Sequence, residues 1–161
     1  MHNSTFQLLE YSPHLAVKFK EINIEWISTM FHLEAKDEKV LNDPQTTILN
    51  SGGHILFVEI PGLGIVGTCA LLKTGINEYE LTKMGVLESA RGTGAGRFLL
   101  KAIIEKAKTI EAKHLYLLTN KKCEAAIHLY ESLGFKHDPS VMEKFGAEYT
   151  RCDVAMSYFG L

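Results

Sequence analysis

The stretch RGTGAGR at residues 91–97 sets Gly92, Gly94 and Gly96 at alternate positions between two arginines. Glycine removes side chains from a turn and opens left-handed backbone angles, so several amide N–H groups can converge on one small volume. Such a nest suits an anion. Phe98, Leu99, Leu100, Ile103, Ile104 and Ala107 follow at the three-and-four spacing of an amphipathic helix. That spacing puts the loop at a positive helix start, where phosphate binds readily. A glycine-rich turn with a purely structural job is spelled the same way, and the loop by itself leaves both readings open. Other chemistries find less support. Position 97 is arginine, so G-x-G-x-x-G fails, and the loop does not follow the first strand of its unit as a dinucleotide turn does. No G-K-[ST] follows either, which excludes the phosphate loop of nucleotide hydrolases. The seven histidines are scattered without H-E-x-x-H or another ligand spacing. Cys69, Cys123 and Cys152 are odd in number and far apart, so they indicate neither a zinc site nor a disulfide framework, and no metal is assigned.

The elements that must position the loop follow from periodicity. Residues 5–10 predict a strand, and Ser12 and Pro13 have the types of an N-cap and a first-turn residue. Leu15, Phe19, Ile22, Trp26, Ile27 and Met30 come next at helical spacing, the ordinary sign of core packing. The acidic stretch HLEAKDEKVLNDPQ, broken at Asn42-Asp43-Pro44, predicts a short second helix and a turn. Residues 54–60 and 64–72 predict two strands joined in a hairpin by Pro61-Gly62-Leu63-Gly64, and residues 78–87 a third strand. Beyond the glycine loop a helix runs to about Glu111, residues 114–119 form a strand, and residues 123–133 form a helix ended by Gly134. Residues 151–158 offer a last strand. Strand, glycine loop, helix, strand, helix is a crossover order that lays helices over a sheet, and the preceding hairpin makes that sheet mixed.

At 161 residues the chain is the size of one hydrophobic core, so a single domain over 1–161 is expected. With 46% apolar and 22% charged residues it is no disordered segment. A formal net charge of −2 gives no general pull toward nucleic acid or an anionic membrane. No apolar run reaches the roughly eighteen residues of a membrane span. MHNSTFQLLEYSPH lacks the basic stretch, apolar core and cleavage site of a signal peptide, and with the unpaired cysteines this predicts a cytoplasmic setting.

On these residues the chain resembles the GNAT superfamily, the acyl-CoA-dependent N-acyltransferases. That family's signature is a strand, then [Q/R]-x-x-G-x-[G/A], then a helix; Arg91, Gly92, Thr93, Gly94, Ala95 and Gly96 match it in full. Gly64-Ile65-Val66-Gly67-Thr68 resembles the family's hairpin strand, and Glu80-Leu81-Thr82-Lys83-Met84-Gly85-Val86 the strand that lines its cofactor cleft. Thr119, Asn120, Ala125, Ala126, Leu129, Tyr130, Gly134 and Phe135 resemble its second signature segment. The resemblance implies an α/β (α+β) fold, with a mixed, mostly antiparallel central sheet of about six to seven strands flanked by about four helices.

It also implies acetyl-CoA as co-substrate, with the pyrophosphate held by the amides of residues 91–96 and charge added by Arg91 or Arg97. The pantetheine arm would pair with a strand edge as a pseudo-strand and touch Met84 and Val86, two apart on one face. Asn120 would bond that arm or a bridging water, unless it is only an N-cap or turn residue, and Ala125 and Tyr130 would complete the cofactor wall. A bulge usually splays the strand in this family, and Gly85 would tolerate it. The amine acceptor must lose a proton before it attacks. Glu80, which strict alternation places on the face of Thr82, Met84 and Val86, is the implied base, directly or through water; a salt-bridged or solvated carboxylate is the other reading. Tyr130 holds the family's general-acid position, although periodicity alone makes it a core aromatic in a Cys123, Ile127, Tyr130 stripe. The backbone N–H of Met84 or Val86 is the candidate oxyanion donor. Cys123 has no companion histidine and acid in a recognisable order, so it reads as structural, and direct transfer in a ternary complex is preferred to an acyl-cysteine route.

The expected function is therefore transfer of an acetyl group to a primary amine on a small molecule or peptide. A noncatalytic acyl-CoA-binding module on the same fold is the alternative, and a nicotinamide-dependent oxidoreductase is remote on motif spacing. Glu25, Glu34, Asp37 and Glu38 lie where the resemblance puts the acceptor mouth; they would favour a cationic amine, or form a solvated helix face. The family's habit of pairing implies a homodimer to which the tail strand could contribute, with no nucleic-acid or membrane partner.

Overall fold

The structure, a computed structural model, describes residues 5–161; residues 1–4, part of the stretch read above for an export signal, lie outside the described residues. Seven strands form one sheet: β1 (Gln7–Glu10), β2 (His54–Ile60), β3 (Gly64–Gly75), β4 (Glu78–Val86), β5 (His114–Thr119), β6 (Phe135–His137) and β7 (Val154–Tyr158), in the spatial order β1-β2-β3-β4-β5-β7-β6. Every neighbouring pair is antiparallel except β4 and β5. Five α-helices accompany it: α1 (Ala16–Met30), α2 (Ala35–Asn42), α3 (Ala95–Thr109), α4 (Glu124–Ser132) and α5 (Pro139–Phe145). The mixed, mostly antiparallel α/β sheet expected from the sequence is the one found. No described helix is long and apolar enough to cross a membrane.

Helices cover both faces because each carries one apolar stripe. On one face α3 buries Leu99, Leu100, Ile103 and Ile104 against Leu56, Val58, Leu71 and Leu81 of the sheet. Each such side chain contributes roughly 1.5–3 kcal/mol when fully buried. On the other face Phe19 and Ile27 of α1 and Val40 and Leu41 of α2 pack on Ile55, Phe57 and Ala70.

Two irregularities open the centre of this sheet. The β3–β4 register passes from Thr68↔Gly85 to Ala70↔Thr82, so Lys83 and Met84 stand opposite the single Cys69. This is a bulge, and Lys83 carries its left-handed angle, φ +53°. Next, β4 and β5 pair only from Glu78↔His114 to Leu81↔Leu117. Beyond that point β5 stays with β7 as far as Thr119↔Val154, while β4 follows β3 to Val86. The two strands therefore diverge, and residues 82–86 keep a strand edge that faces a cleft instead of a neighbour.

The bulge corrects two expectations. The distortion sits at Lys83 rather than at Gly85, where glycine serves close packing: a Cβ there would stand 2.4 Å from Cδ1 of Trp26. One extra residue also inverts the alternation, so Glu80 and Thr82 lie on the α1/α2 face while Met84 and Val86 pack with the α3 cluster. Other elements differ at their ends. The first helical segment opens as a 3-10 turn at Pro13–Leu15, and the Ser12 side chain makes no capping bond. β7 begins at Val154 rather than at position 151, because the backbone N–H groups of Thr150 and Arg151 bond to the Glu34 carboxylate. The short β6 and α5 were not anticipated, although Asp138-Pro139-Ser140 announces the second: Asp138 accepts from the Ser140 N–H at 3.1 Å and proline occupies the first turn.

Candidate active site

The glycine loop meets the requirements of an anion nest. Gly92 and Gly94 take φ +80° and +91°, angles that strain any other residue, and Gly94 is the N-cap of α3. Thr93 turns inward, its Oγ1 donating to the Ala90 carbonyl at 2.6 Å and accepting from the Ala95 N–H at 3.3 Å. The N–H groups of Gly96 and Arg97 belong to the first helical turn and have no intrahelical partner. Gly96 is the informative glycine. A Cβ there would lie 3.7 Å from Leu129 and Val86, ordinary contact, so nothing in the fold itself requires a missing side chain. A bare Cα beside unpartnered amides fits a ligand that approaches the backbone closely.

From this loop a groove of about 520 Å³ runs between the diverging strands. Met84, Gly85, Val86, Arg91, Gly92, Gly94, Ala95, Gly96, Ala125 and Tyr130, all expected at the cofactor site, line it. The side chains of Thr93, Arg97 and Asn120 do not. Arg97 is exposed and reaches Ser132 Oγ at 3.3 Å. Asn120 pins a turn: its Nδ2 donates to the Arg151 carbonyl at 2.6 Å and its Oδ1 accepts from the Lys122 N–H at 2.8 Å. A volume of several hundred Å³ with backbone edge along one wall fits an elongated, amide-bearing ligand.

Where the strands part, a chamber of about 50 Å³ adjoins the groove, and Trp26, Met84, Thr119, Cys123 and Tyr130 wall both. Glu80 lines the chamber, so the structure brings together the two side chains expected to move protons. Glu80 is 3% exposed and takes no hydrogen bond among the described residues. Burial raises its carboxyl above the ordinary range, against the charges of Lys36 and Lys83. Burial likewise pushes the Tyr130 phenol up, so it stays protonated at neutral pH. Cys152 also lines the chamber, and burial drives its thiol up to about 12, which leaves no thiolate to act as nucleophile.

The acidic cluster divides, with Asp37 and Glu34 turned to structural work inside the fold and Glu25 and Glu38 left on exposed positions. Asp37 is fully buried and receives Arg151 Nη1 at 2.6 Å, Arg151 Nη2 at 2.7 Å, Lys83 Nζ at 2.8 Å and the Glu34 N–H at 2.9 Å. Burial alone would raise the Asp37 carboxyl; the Arg151 hydrogen bonds and the Lys83 charge outweigh it and hold it far below the usual carboxylate range. Glu34 Oε1 accepts from the N–H and hydroxyl of Thr150 at 2.9 and 2.7 Å, and Glu25 Oε2 accepts from the Glu88 N–H at 2.9 Å. Glu25 and Glu38 are exposed, whereas Glu34 is half-buried and Asp37 buried. Sequence reasoning missed Lys83, Tyr149 and Arg151 as chamber walls, since nothing local marks them.

A second polar cluster has the spelling of a hydrolytic triad. His114 Nε2 lies 3.1 Å from Ser157 Oγ, and its Nδ1 lies 3.1 Å from Glu78 Oε2. The Ser157 hydroxyl is 1% exposed and already donates to Asp138 Oδ2 at 2.7 Å, so it ties β7 to α5 and has no proton to give the imidazole. No group of ligating side chains among the described residues could hold a metal ion.

The family model described as Acetyltransferase (GNAT) domain matches residues 51–137. The Escherichia coli K12 protein called uncharacterized N-acetyltransferase YjgM is 30% identical over 157 residues, 92% of this chain and 89% of that protein. The [ribosomal protein bS18]-alanine N-acetyltransferase of the same organism is 28% identical over 105 residues, 65% of this chain and 71% of its own. Among solved structures, a GNAT-family acetyltransferase from Staphylococcus aureus Mu50 superposes with a TM-score of 0.84 at 22% identity, covering 95% of this chain and 98% of that one.

Proposed function

This chain belongs to the GNAT family of acetyltransferases, and on that premise we propose that it transfers an acetyl group from acetyl-CoA to the primary amine of an acceptor by direct attack in a ternary complex. The observation that carries the reading is the junction of groove and chamber, where Tyr130 walls both spaces and Glu80 faces the smaller one. Amides of the 91–97 loop and the Arg91 side chain hold the diphosphate of the co-substrate, which supplies the activated acyl group. The open edge at residues 82–86 pairs with its amide-bearing arm, and the N–H of Met84 or Val86 can donate to the carbonyl oxygen as charge develops there. Glu80, its basicity raised by burial, takes the proton of the acceptor ammonium directly or through a water. The Tyr130 hydroxyl donates a hydrogen bond to the departing sulfur and so lowers the cost of releasing a thiolate.

Thiol release from acetyl-CoA over a panel of amines, with the product weighed by mass spectrometry, tests the whole assignment. Because one relative carries the name of a ribosomal-protein alanine acetyltransferase, the panel includes peptides with a free N-terminal alanine beside polyamines and amino acids. CoA binding without thiol release from any amine would favour a sensor on the same fold. Tyr130→Phe should lower kcat by about 10- to 100-fold with the affinity for CoA unchanged; equal turnover would remove the phenol from the chemistry.

The loop has its own test. Gly96→Val should weaken CoA binding at least about tenfold, the equivalent of ~1.4 kcal/mol, because the added methyls fill the cradle. A Cβ meets only ordinary contacts there, so the smaller Gly96→Ala should leave Tm nearly unchanged. Wild-type affinity of Gly96→Val in a calorimetric titration would place the diphosphate elsewhere.

A further inference from the structure

A lysine at the bulge is the costly choice. Lys83 sits at φ +53°, where glycine would rest without strain, and its ammonium is buried, the side chain 2% exposed. Two unfavourable features at one residue persist only where the surroundings compensate them. Nζ donates to Asp37 Oδ1 at 2.8 Å and to Tyr149 Oη at 3.0 Å, and its charge lies 4.6 Å from the Tyr149 ring centre. Asp37 cannot follow the lysine if the strand moves, because Arg151 grips both its oxygens and the first turn of α2 holds it through the Glu34 N–H. Arg151 is fixed in turn to the end of β5, its carbonyl accepting from Asn120. The bulge, the start of α2, the segment before β7 and the end of β5 are thus tied around one chamber.

We propose that Lys83 is a positioning residue for acyl transfer: anchored on Asp37, it holds β4 away from β5 at the cleft and fixes a positive charge beside the Glu80 carboxylate. The inference rests on Glu80 as the base. The titratable groups around Glu80 are Lys36 and Asp37 from α2, Lys83 from its own strand, Tyr116 from β5, Cys123 and Tyr130 from the start and body of α4, and Tyr149, Arg151 and Cys152 from the segment before β7. Of the three cations, Lys36 is partly exposed, pairs with Glu148 and is screened by solvent, and Arg151 is shared between two carboxylates, Asp37 and Glu34, where Lys83 meets Asp37 alone. Lys83 is the buried, unscreened one. Burial lowers its own affinity for a proton, and the Asp37 carboxylate, in hydrogen-bond contact at 2.8 Å, opposes that loss.

Carbon-13 NMR titration of the glutamate carboxyls reads the effect without any acceptor, the resonance absent in Glu80→Gln identifying Glu80. In Lys83→Met the Glu80 midpoint should rise by roughly half a pH unit or more, and calorimetric affinity for CoA should fall severalfold as the cleft relaxes. Lys83→Arg, which keeps the charge, should restore the midpoint. Lys83→Met retains both Arg151 bonds to Asp37 and is expected to fold; should it not, Lys83→Gln carries the same expectation. An unchanged midpoint and CoA affinity in a folded Met or Gln variant overturns the proposal. Failure of the base assignment reads differently, as full thiol release by Glu80→Gln, so the two outcomes are told apart.

Discussion

Asparagine in place of Asp37 should cost about 3–5 kcal/mol of stability, because it removes one charge from a buried group, leaves Lys83 without its counter-ion and leaves Arg151 with Glu34 alone. At this chain length that is a fall in Tm of about 10 °C. Asp37 is fully buried and accepts four hydrogen bonds, three of them from the charged ends of Arg151 and Lys83. Asparagine keeps one acceptor oxygen, and its amide N–H groups would point at cations. The pH dependence has a definite sign. Since the folded-state pKa is depressed, the contribution is complete above the unfolded carboxylate value of about 3.9 and is lost as pH falls below it toward the folded one. Wild type and Asp37→Asn should therefore differ most near neutrality and converge in acid. Glu38→Gln, one residue on and exposed, is the control, with a change within about 0.5 kcal/mol. An Asp37→Asn melt within a degree or so of wild type would show that the network around the chamber is not what secures α2 to the sheet.

The same network marks the boundary of what the sequence discloses. The β2–β3 hairpin, the glycine loop and α3 are written in neighbouring residues: alternation, a Pro-Gly turn, apolar residues at three-and-four spacing. Those signals suffice to place the nest at the head of a helix, and ten of the residues expected around the co-substrate do line the groove. The bulge has no such local mark. Strict alternation set Glu80 and Met84 on one face, and only the pairing of Lys83 with Asp37, 46 positions away, accounts for a left-handed lysine there. Asp37 looked like one more charge on an acidic helix until Arg151, 114 positions on, reached it. Long-range ion pairs leave no periodicity, so the chamber walls built from them were the part least legible. Asp138-Pro139-Ser140 is a different kind of omission, a local cap signal that was present and passed over.

Glu80→Gln is expected to lower kcat/KM by about 10²–10⁴ at neutral pH while leaving CoA affinity intact. The carboxylate faces a small chamber with no hydrogen-bond partner among the described residues, so its proton affinity is set chiefly by burial, and it stands above that of an exposed glutamate. In the wild type the acid limb of the rate profile should accordingly lie above pH 4.5, the ordinary glutamate value. Glutamine should abolish that limb, and the deficit should narrow at alkaline pH as more acceptor amine is free without help. Stability should move the other way. A folded pKa raised above the unfolded one gives a contribution that is complete below the unfolded value and lost as pH rises through the folded value. Wherever Glu80 is ionised in the folded protein it therefore opposes folding, and the neutral glutamine should melt no lower than wild type and somewhat higher if it packs well. Lower turnover with an equal or higher Tm is the signature of a group kept for chemistry at some cost to the fold. Lower turnover together with a lower Tm would make Glu80 a structural carboxylate, and full activity would remove it from the mechanism.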